Sequence, residues 1–223
     1  QTLFSALQLS VQNRESVKRL MDKKITAIAW DFIRDEENIY PVVRSMGELA
    51  GTASVLIAGE YLSNVNKGKG LIMGGISGVP PADIVVLGAG TVGEFATRSA
   101  LGLGAIVKVF DTSISRLRRL QNDLSQRIYT SIVQPKVIAK ALSTADVVIG
   151  AMRAEGGKTP CVVTEKMIED IKPGSVVVDV SIDKGGCFET SELTNHTKPI
   201  FVKHGIIHYC VPNIASRYAR TAS

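Results

Sequence analysis

From position 83 onward, short apolar runs alternate with stretches whose apolar residues recur at helical spacing. "DIVVLG" (83–88), "AIVKVFD" (105–111), "RIYTSIV" (127–133), "DVVIGA" (146–151) and "GSVVVDVS" (174–181) have the length and β-branched content of strands. Between them "TVGEFATRSALGLG" (91–104), "SISRLRRLQNDL" (113–124), "PKVIAKALSTA" (135–145) and "TEKMIEDIK" (164–172) carry the helical period, the last with Thr164 as its expected cap. Strands that are apolar on both faces belong in a parallel sheet covered by helices on both sides. The expected fold class is therefore α/β, a Rossmann-type doubly wound parallel sheet. A further apolar segment, "GIIHYCVPN" (205–213), follows the last of these strands.

The first eighty residues are less regular. "TLFSALQL" (2–9) and "ITAIAW" (25–30) have strand character, and "NRESVKRLMDKK" (13–24) reads as the helix between them, with basic residues in its last turn. A long apolar-periodic run from Arg44 to Leu62 predicts a buried helix. Its Gly47, Ala50, Gly51, Ala53, Ala58 and Gly59 would let another backbone approach closely. The glycine-rich stretch "NKGKGLIMGGISGVPP" (66–81) lacks the Walker spacing and reads as a connection rather than a phosphate loop.

Bulk composition narrows the class. With 223 residues, 45% of them apolar, the chain can bury a substantial core. The net charge is +5, but the basic residues are scattered. The one cluster, Arg116, Arg118 and Arg119, sits among leucines with no interleaved aromatic residues, so it reads as the wet face of a helix and not as a nucleic-acid surface. No run reaches the length of a membrane span and no signal-peptide pattern opens the chain. A soluble, cytoplasmic protein is expected, with no nucleic-acid or membrane partner. Three cysteines (Cys161, Cys187, Cys210) and three histidines (His196, His204, His208) show no metal-type spacing, so reduced thiols and no metal site are expected.

The chemistry concentrates at strand ends. "GAGTVG" places Gly88, Gly90 and Gly93 in Gly-x-Gly-x-x-Gly spacing between a strand and a helix. There Gly88 permits the tight turn, Gly90 lets a pyrophosphate approach the backbone, and Gly93 lets the helix lie close to the sheet, while Thr91 and Val92 open the helix whose amides face the anion. Asp111 ends the next strand, 23 residues beyond Gly88, and a carboxylate there accepts the ribose hydroxyls of an adenosine and repels a 2′-phosphate. NAD is expected over NADP, with Arg116 near the adenosine. Ligands of parallel sheets lie beyond the carboxyl ends of the strands. Gly150, Ala151 and Met152 are therefore expected near the cofactor, and Asp183 in the cleft. His208, Cys210 and Asn213 are expected at the same edge. Asp179, inside the valine run, is expected to make a structural hydrogen bond. Cys187 would need a neighbouring base to act as a nucleophile, and His208 reads as a core histidine.

"GKGLIMGGISGVPPADIVVLGAGTVGEFA", "VVVDVSIDKGGCFETS" and "HYCVPNIASRYARTAS" together resemble the alanine dehydrogenase family over almost the whole chain. The related NAD(P) transhydrogenase domain shares the glycine fingerprint but is associated with Gln-Asn before the Gly-Gly pair, where this chain has Ser-Ile-Asp. The resemblance implies reversible NAD-dependent oxidative deamination of L-alanine to pyruvate and ammonia, an oxidoreductase acting on a 2-amino acid or 2-oxo acid, and a homo-oligomer, hexameric in related enzymes. By position Asp183 matches the family's active-site aspartate, Asn213 the asparagine beside the nicotinamide, and Asp111 the ribose-binding acid. It also implies a piece of a longer protein. Residues 1–40 would close a substrate lobe, 41–213 would form the NAD-binding domain, and 214–223 would begin the return to the first lobe. Two positions depart from the family: Gln8 stands where a catalytic histidine is usual, and Gly47 where serine is frequent near the phosphates. Glutamine cannot exchange a proton near neutral pH. The alternatives are an NAD(H)-binding regulatory or catalytically divergent homologue, and a transhydrogenase-type NAD domain.

Overall fold

In the computed structural model, which describes residues 1–7, 14–153 and 158–223, the alternating runs from position 83 build one seven-stranded sheet. Two compact units divide the chain, residues 1–47 and 48–223. In the first, β1 (Thr2–Ser5) pairs in parallel with β2 (Thr26–Ala29), in register Thr2 to Thr26, and α1 (Arg14–Asp22) lies between them in sequence. Gln8 lies outside the described residues. A long helix, α2 (Pro41–Leu62), starts three residues before the expected Arg44, because proline is well suited to the first helical position.

The second unit runs β3 (Asp83–Leu87), α3 (Thr91–Gly102), β4 (Ile106–Asp111), α4 (Ile114–Asp123), β5 (Tyr129–Ile132), α5 (Pro135–Leu142), β6 (Val147–Gly150), α6 (Glu165–Glu169), β7 (Val176–Asp179), β8 (Ile200–Lys203) and β9 (Ile206–Tyr209). The strand order β5-β4-β3-β6-β7-β9-β8 reverses direction between β3 and β6, which is the switch point of a doubly wound sheet. Alternate residues of each strand enter opposite cores. Ile84, Val86, Val107, Val109, Ile149 and Val178 pack with α2, α3 and α4, while Val85, Leu87, Phe110, Val148 and Val177 pack with α5 and α6. Gly51 of α2 meets α3 backbone to backbone, since a Cβ there would lie 2.3 Å from the Val92 carbonyl. Gly51 thus serves the close approach expected of the small residues of α2.

One strand departs from the all-parallel expectation. β8 runs antiparallel to β9, with Phe201 opposite His208, and the two are joined through His204 and Gly205, both at positive φ. Two residues at positive φ form the tight hairpin turn whose twist matches the flanking strands. The link from β7 to β9 accordingly carries a single turn of 3-10 helix (Ile182–Lys184) and a strand instead of a crossover helix. Among the described residues no helix is long and apolar enough to cross a membrane.

The amino-terminal edge of the sheet is tied by Asp146. Its carboxylate accepts from the Asp83 amide at 3.0 Å and from Lys69 Nζ at 2.9 Å, with Lys172 at 3.8 Å. Burial alone would raise its pKa, but the Asp83 and Lys69 hydrogen bonds and the two lysine charges prevail and hold it below the ordinary carboxylate range. Its folded value being depressed, the stabilisation is present above the unfolded pKa and is lost as pH falls through the folded one. Asp146→Ala is expected to lower stability by about 3 kcal/mol at neutral pH, because it strands the Lys69 ammonium in a mostly buried site. Urea unfolding should show that deficit shrinking once the solution is acid enough to protonate Asp146 in the parent protein.

Candidate cofactor and catalytic site

The chain leaves β3 through a turn that only glycine fits. Gly88 has φ +114°, and a Cβ on it would stand 2.4 Å from the Ala151 carbonyl oxygen. At Gly93 a Cβ would stand 1.8 Å from the Gly88 carbonyl oxygen, so helix α3 rests directly on the turn. Gly90 differs: nothing lies within 4 Å of its Cβ position, and the space in front of it is open. Thr91 and Val92 form the first turn of α3, where amides lack intrahelical acceptors and attract anions.

Asp111 terminates β4 and is 2% exposed. One carboxylate oxygen accepts the Ala89 amide at 2.6 Å and the other the Ser113 amide at 2.7 Å, so this acid braces the glycine turn and the entry to α4 together. Each oxygen keeps a second lone pair for a ribose hydroxyl. Ser113 caps α4, its hydroxyl accepting from the Arg116 amide at 3.4 Å. The arginine cluster is not merely a wet face. Arg119 reaches back to donate to the Ala89 carbonyl at 3.1 Å, a link to the glycine turn that the sequence pattern did not signal. Arg116 is half-buried at the start of the same helix.

Parallel pairing brings the later strand ends to the same edge. The Ala151 amide donates to Leu87 O at 2.7 Å, the Val180 amide to Gly150 O at 2.9 Å, and Ser181 Oγ to Met152 O at 2.8 Å. Gly150 and Met152 are buried and Ala151 is half-buried. Beyond β7, the carboxylate of Asp183 accepts the Asn213 amide at 3.3 and 3.4 Å, so these two expected site residues are neighbours. Asp183 is itself exposed, and partial desolvation of its carboxyl by the surrounding turn raises its pKa against the opposing Asn213 hydrogen bond and Lys184 charge. Lys184 is lowered by desolvation and by Arg153, and the stem of Lys158 packs over Gly185. Lys184 and the cations around its turn were not singled out in the sequence, where Arg153 and Lys158 lie some thirty residues before it.

Not every residue expected at this edge is open to it. His208 lies within β9, fully buried, stacked on Phe201 at 4.8 Å between ring centroids, with Nε2 2.9 Å from Thr190 Oγ1 and Nδ1 3.0 Å from Ile206 O. Strand alternation turns it into the core, where Phe201 of β8 covers the ring. Cys210 is also buried, its thiol pushed up to about 12 by burial, and Cys187 is fully buried with its thiol raised well above the ordinary range. Neither is placed to attack a substrate.

Residues 54–223 match the family model described as alanine dehydrogenase/PNT, C-terminal domain. The chain belongs to this family. It is 41% identical over 223 residues to an alanine dehydrogenase of Halomonas elongata and 39% identical over 224 residues to one of Methanococcus maripaludis, in each case covering 100% of this chain and 60% of the relative. Among solved structures, an L-alanine dehydrogenase superposes with a TM-score of 0.94 at 36% identity, over 100% of this chain and 61% of that one. A transhydrogenase from Sinorhizobium meliloti gives 0.81 at 25% identity, over 100% of this chain and 64% of the other. The chain thus spans about 60% of the length of the curated alanine dehydrogenases it matches. Within this oxidoreductase family it is an NAD(H)-binding, Rossmann-type domain. The site fits that cofactor: open space at Gly90 for the diphosphate, amides at the start of α3, and an acid at the end of β4.

Proposed function

We propose that this chain is part of an NAD-dependent amino-acid dehydrogenase of the alanine dehydrogenase type, converting L-alanine, NAD and water to pyruvate, ammonia and NADH. The observation that carries the reading is the neighbouring pair Asp183 and Asn213, set on the same sheet edge as the glycine turn. When bound, NAD supplies the acceptor for the hydride that leaves the α-carbon. Gly88, Gly90, Thr91, Val92 and Gly93 hold the diphosphate, Asp111 and Arg116 the adenosine end, and Gly150, Ala151, Met152 and Asn213 line the path to the nicotinamide. Asp183 orients water or ammonia beside the reacting carbon and shuttles the proton that water or the nitrogen gives up, a role that its raised pKa suits. The same reading takes residues 1–40 as part of a substrate lobe, 41–213 as the cofactor domain and 214–223 as the return, in a cytoplasmic homo-oligomer that is hexameric by family resemblance.

Gln8 supports a second reading, an NAD(H)-binding homologue without turnover. Assay of the full-length protein with NAD and a panel of 2-amino acids, beside Gln8→His, separates the two. Alanine-dependent NADH formation by the parent protein is the expected result. Cofactor binding without turnover on any amino acid, cured by Gln8→His, would replace it with the second reading.

A further inference from the structure

Asp179 closes β7 and is 1% exposed. Its Oδ1 accepts the Ser181 amide at 3.0 Å, while Oδ2 accepts the Cys187 amide at 3.1 Å and the Ser191 hydroxyl at 2.6 Å. One carboxylate therefore grips a loop where it departs, where it comes back, and once more beyond the return. Asp183 and Lys184 lie at the tip between the first two grips. The glycine pair that follows has its cause here. Gly186 has φ +72°, and a Cβ on it would stand 2.4 Å from Oδ2, so the chain passes directly over the acid. On the opposite side, a Cβ on Gly150 would stand 3.0 Å from Oδ1.

The titratable neighbours of this acid are thiols: Cys187, whose Sγ is 3.9 Å away, Cys161 and Cys210. Burial pushes Asp179 up to about 6 against the hydrogen bonds from Ser191, the Cys187 and Ser181 amides and the Cys187 thiol. An acid buried at that energetic cost, with its donors all drawn from one loop, is expensive as a mere anchor.

We propose that Asp179 is a positioning residue: by holding Ser181, Cys187 and Ser191 it fixes the turn that presents Asp183, and through Asp183 the Asn213 backbone, to the nicotinamide end of the cofactor. The inference rests on the reading of the site given above and adds an acid that acts without touching cofactor or substrate.

The test compares NADH with ADP-ribose, which keeps the diphosphate and both riboses and lacks nicotinamide, by calorimetry on the full-length protein. Asp179→Asn preserves volume but sets an NH2 donor against donors of the loop. Its affinity for NADH is expected to fall about 10-fold while that for ADP-ribose moves less than about 2-fold. Ser191→Ala, which removes one grip of three, should give a smaller loss of the same selectivity, roughly 3-fold, and decides the question if Asp179→Asn does not fold. Equal weakening of both ligands, or no change in either, would overturn the positioning role and leave the cofactor site standing. A parent protein that binds the two ligands equally would overturn the site reading itself, and the positioning role with it.

Discussion

Gly93→Ala should cost on the order of 4 kcal/mol of folding stability, a large share of what a domain of this size possesses. The added methyl would lie 1.8 Å from the Gly88 carbonyl oxygen, a backbone atom that cannot swing aside as a side chain can. Relief requires α3 to lift off the turn, and α3 carries Ala96 and Ala100 into the core shared with α2. Denaturant unfolding would read the loss directly. Gly90→Val is the control within the same motif: its Cβ position meets nothing within 4 Å and its φ of −78° suits any residue, so the unfolding midpoint should hold. Cofactor affinity should instead drop about 100-fold, as the side chain fills the space required by the diphosphate. A Gly93→Ala protein as stable as its parent would refute the seating of α3 on the glycine turn.

Asp183→Asn is expected to lower alanine turnover about 10³-fold while leaving NADH affinity within a few-fold of the parent, the pattern of a lost proton-transfer group. Asparagine keeps an oxygen to accept the Asn213 amide, so the turn should survive the change. Desolvation moves the carboxyl upward from its usual range, with the Asn213 amide and Lys184 pulling the other way. If the ionised acid is the base, kcat/KM falls as pH drops through this raised value, and the variant should lack that acid limb. An equal fall in NADH affinity and in turnover would mean that Asp183 only props the Asn213 turn.

The repeating core of the fold was open to reading because parallel strands buried on both faces leave an unmixed apolar signal, and helices between them leave a period of their own. β8 escaped that reading. "PIFVKHGIIHYC" contains two strands separated by His-Gly, and histidine is a weaker turn signal than the asparagine or aspartate that usually precedes glycine there. The reading of His208 as a core histidine held without it, although Phe201 of β8, which covers the ring, was not foreseen. In the site, the tight turn at Gly88, the seat of α3 on Gly93 and the position of Asp111 at the end of β4 could be read because they follow from local geometry. The reach of Arg119 to Ala89 and the neighbourhood of Asp183, Lys184 and Arg153 depend on strand order, which no single segment encodes. The carboxylate of Asp179 was legible only as a structural acid; that its donors all come from one loop required the folded chain.

The antiparallel hairpin has a bearing on how the protein behaves in concentrated solution. Without β8, the border of the sheet would be β9, four residues that are each no more than 2% exposed and rich in aliphatic and aromatic groups. Such a row of unmet amides and carbonyls recruits strands from other molecules and seeds insoluble assemblies. β8 takes that outer place as a short strand with Lys203 at its end and Pro199 just before it, two residues that discourage further pairing. Truncations or fusions made between positions 198 and 205 would therefore trade a quiet margin for a sticky one, even where the cofactor cleft is left intact.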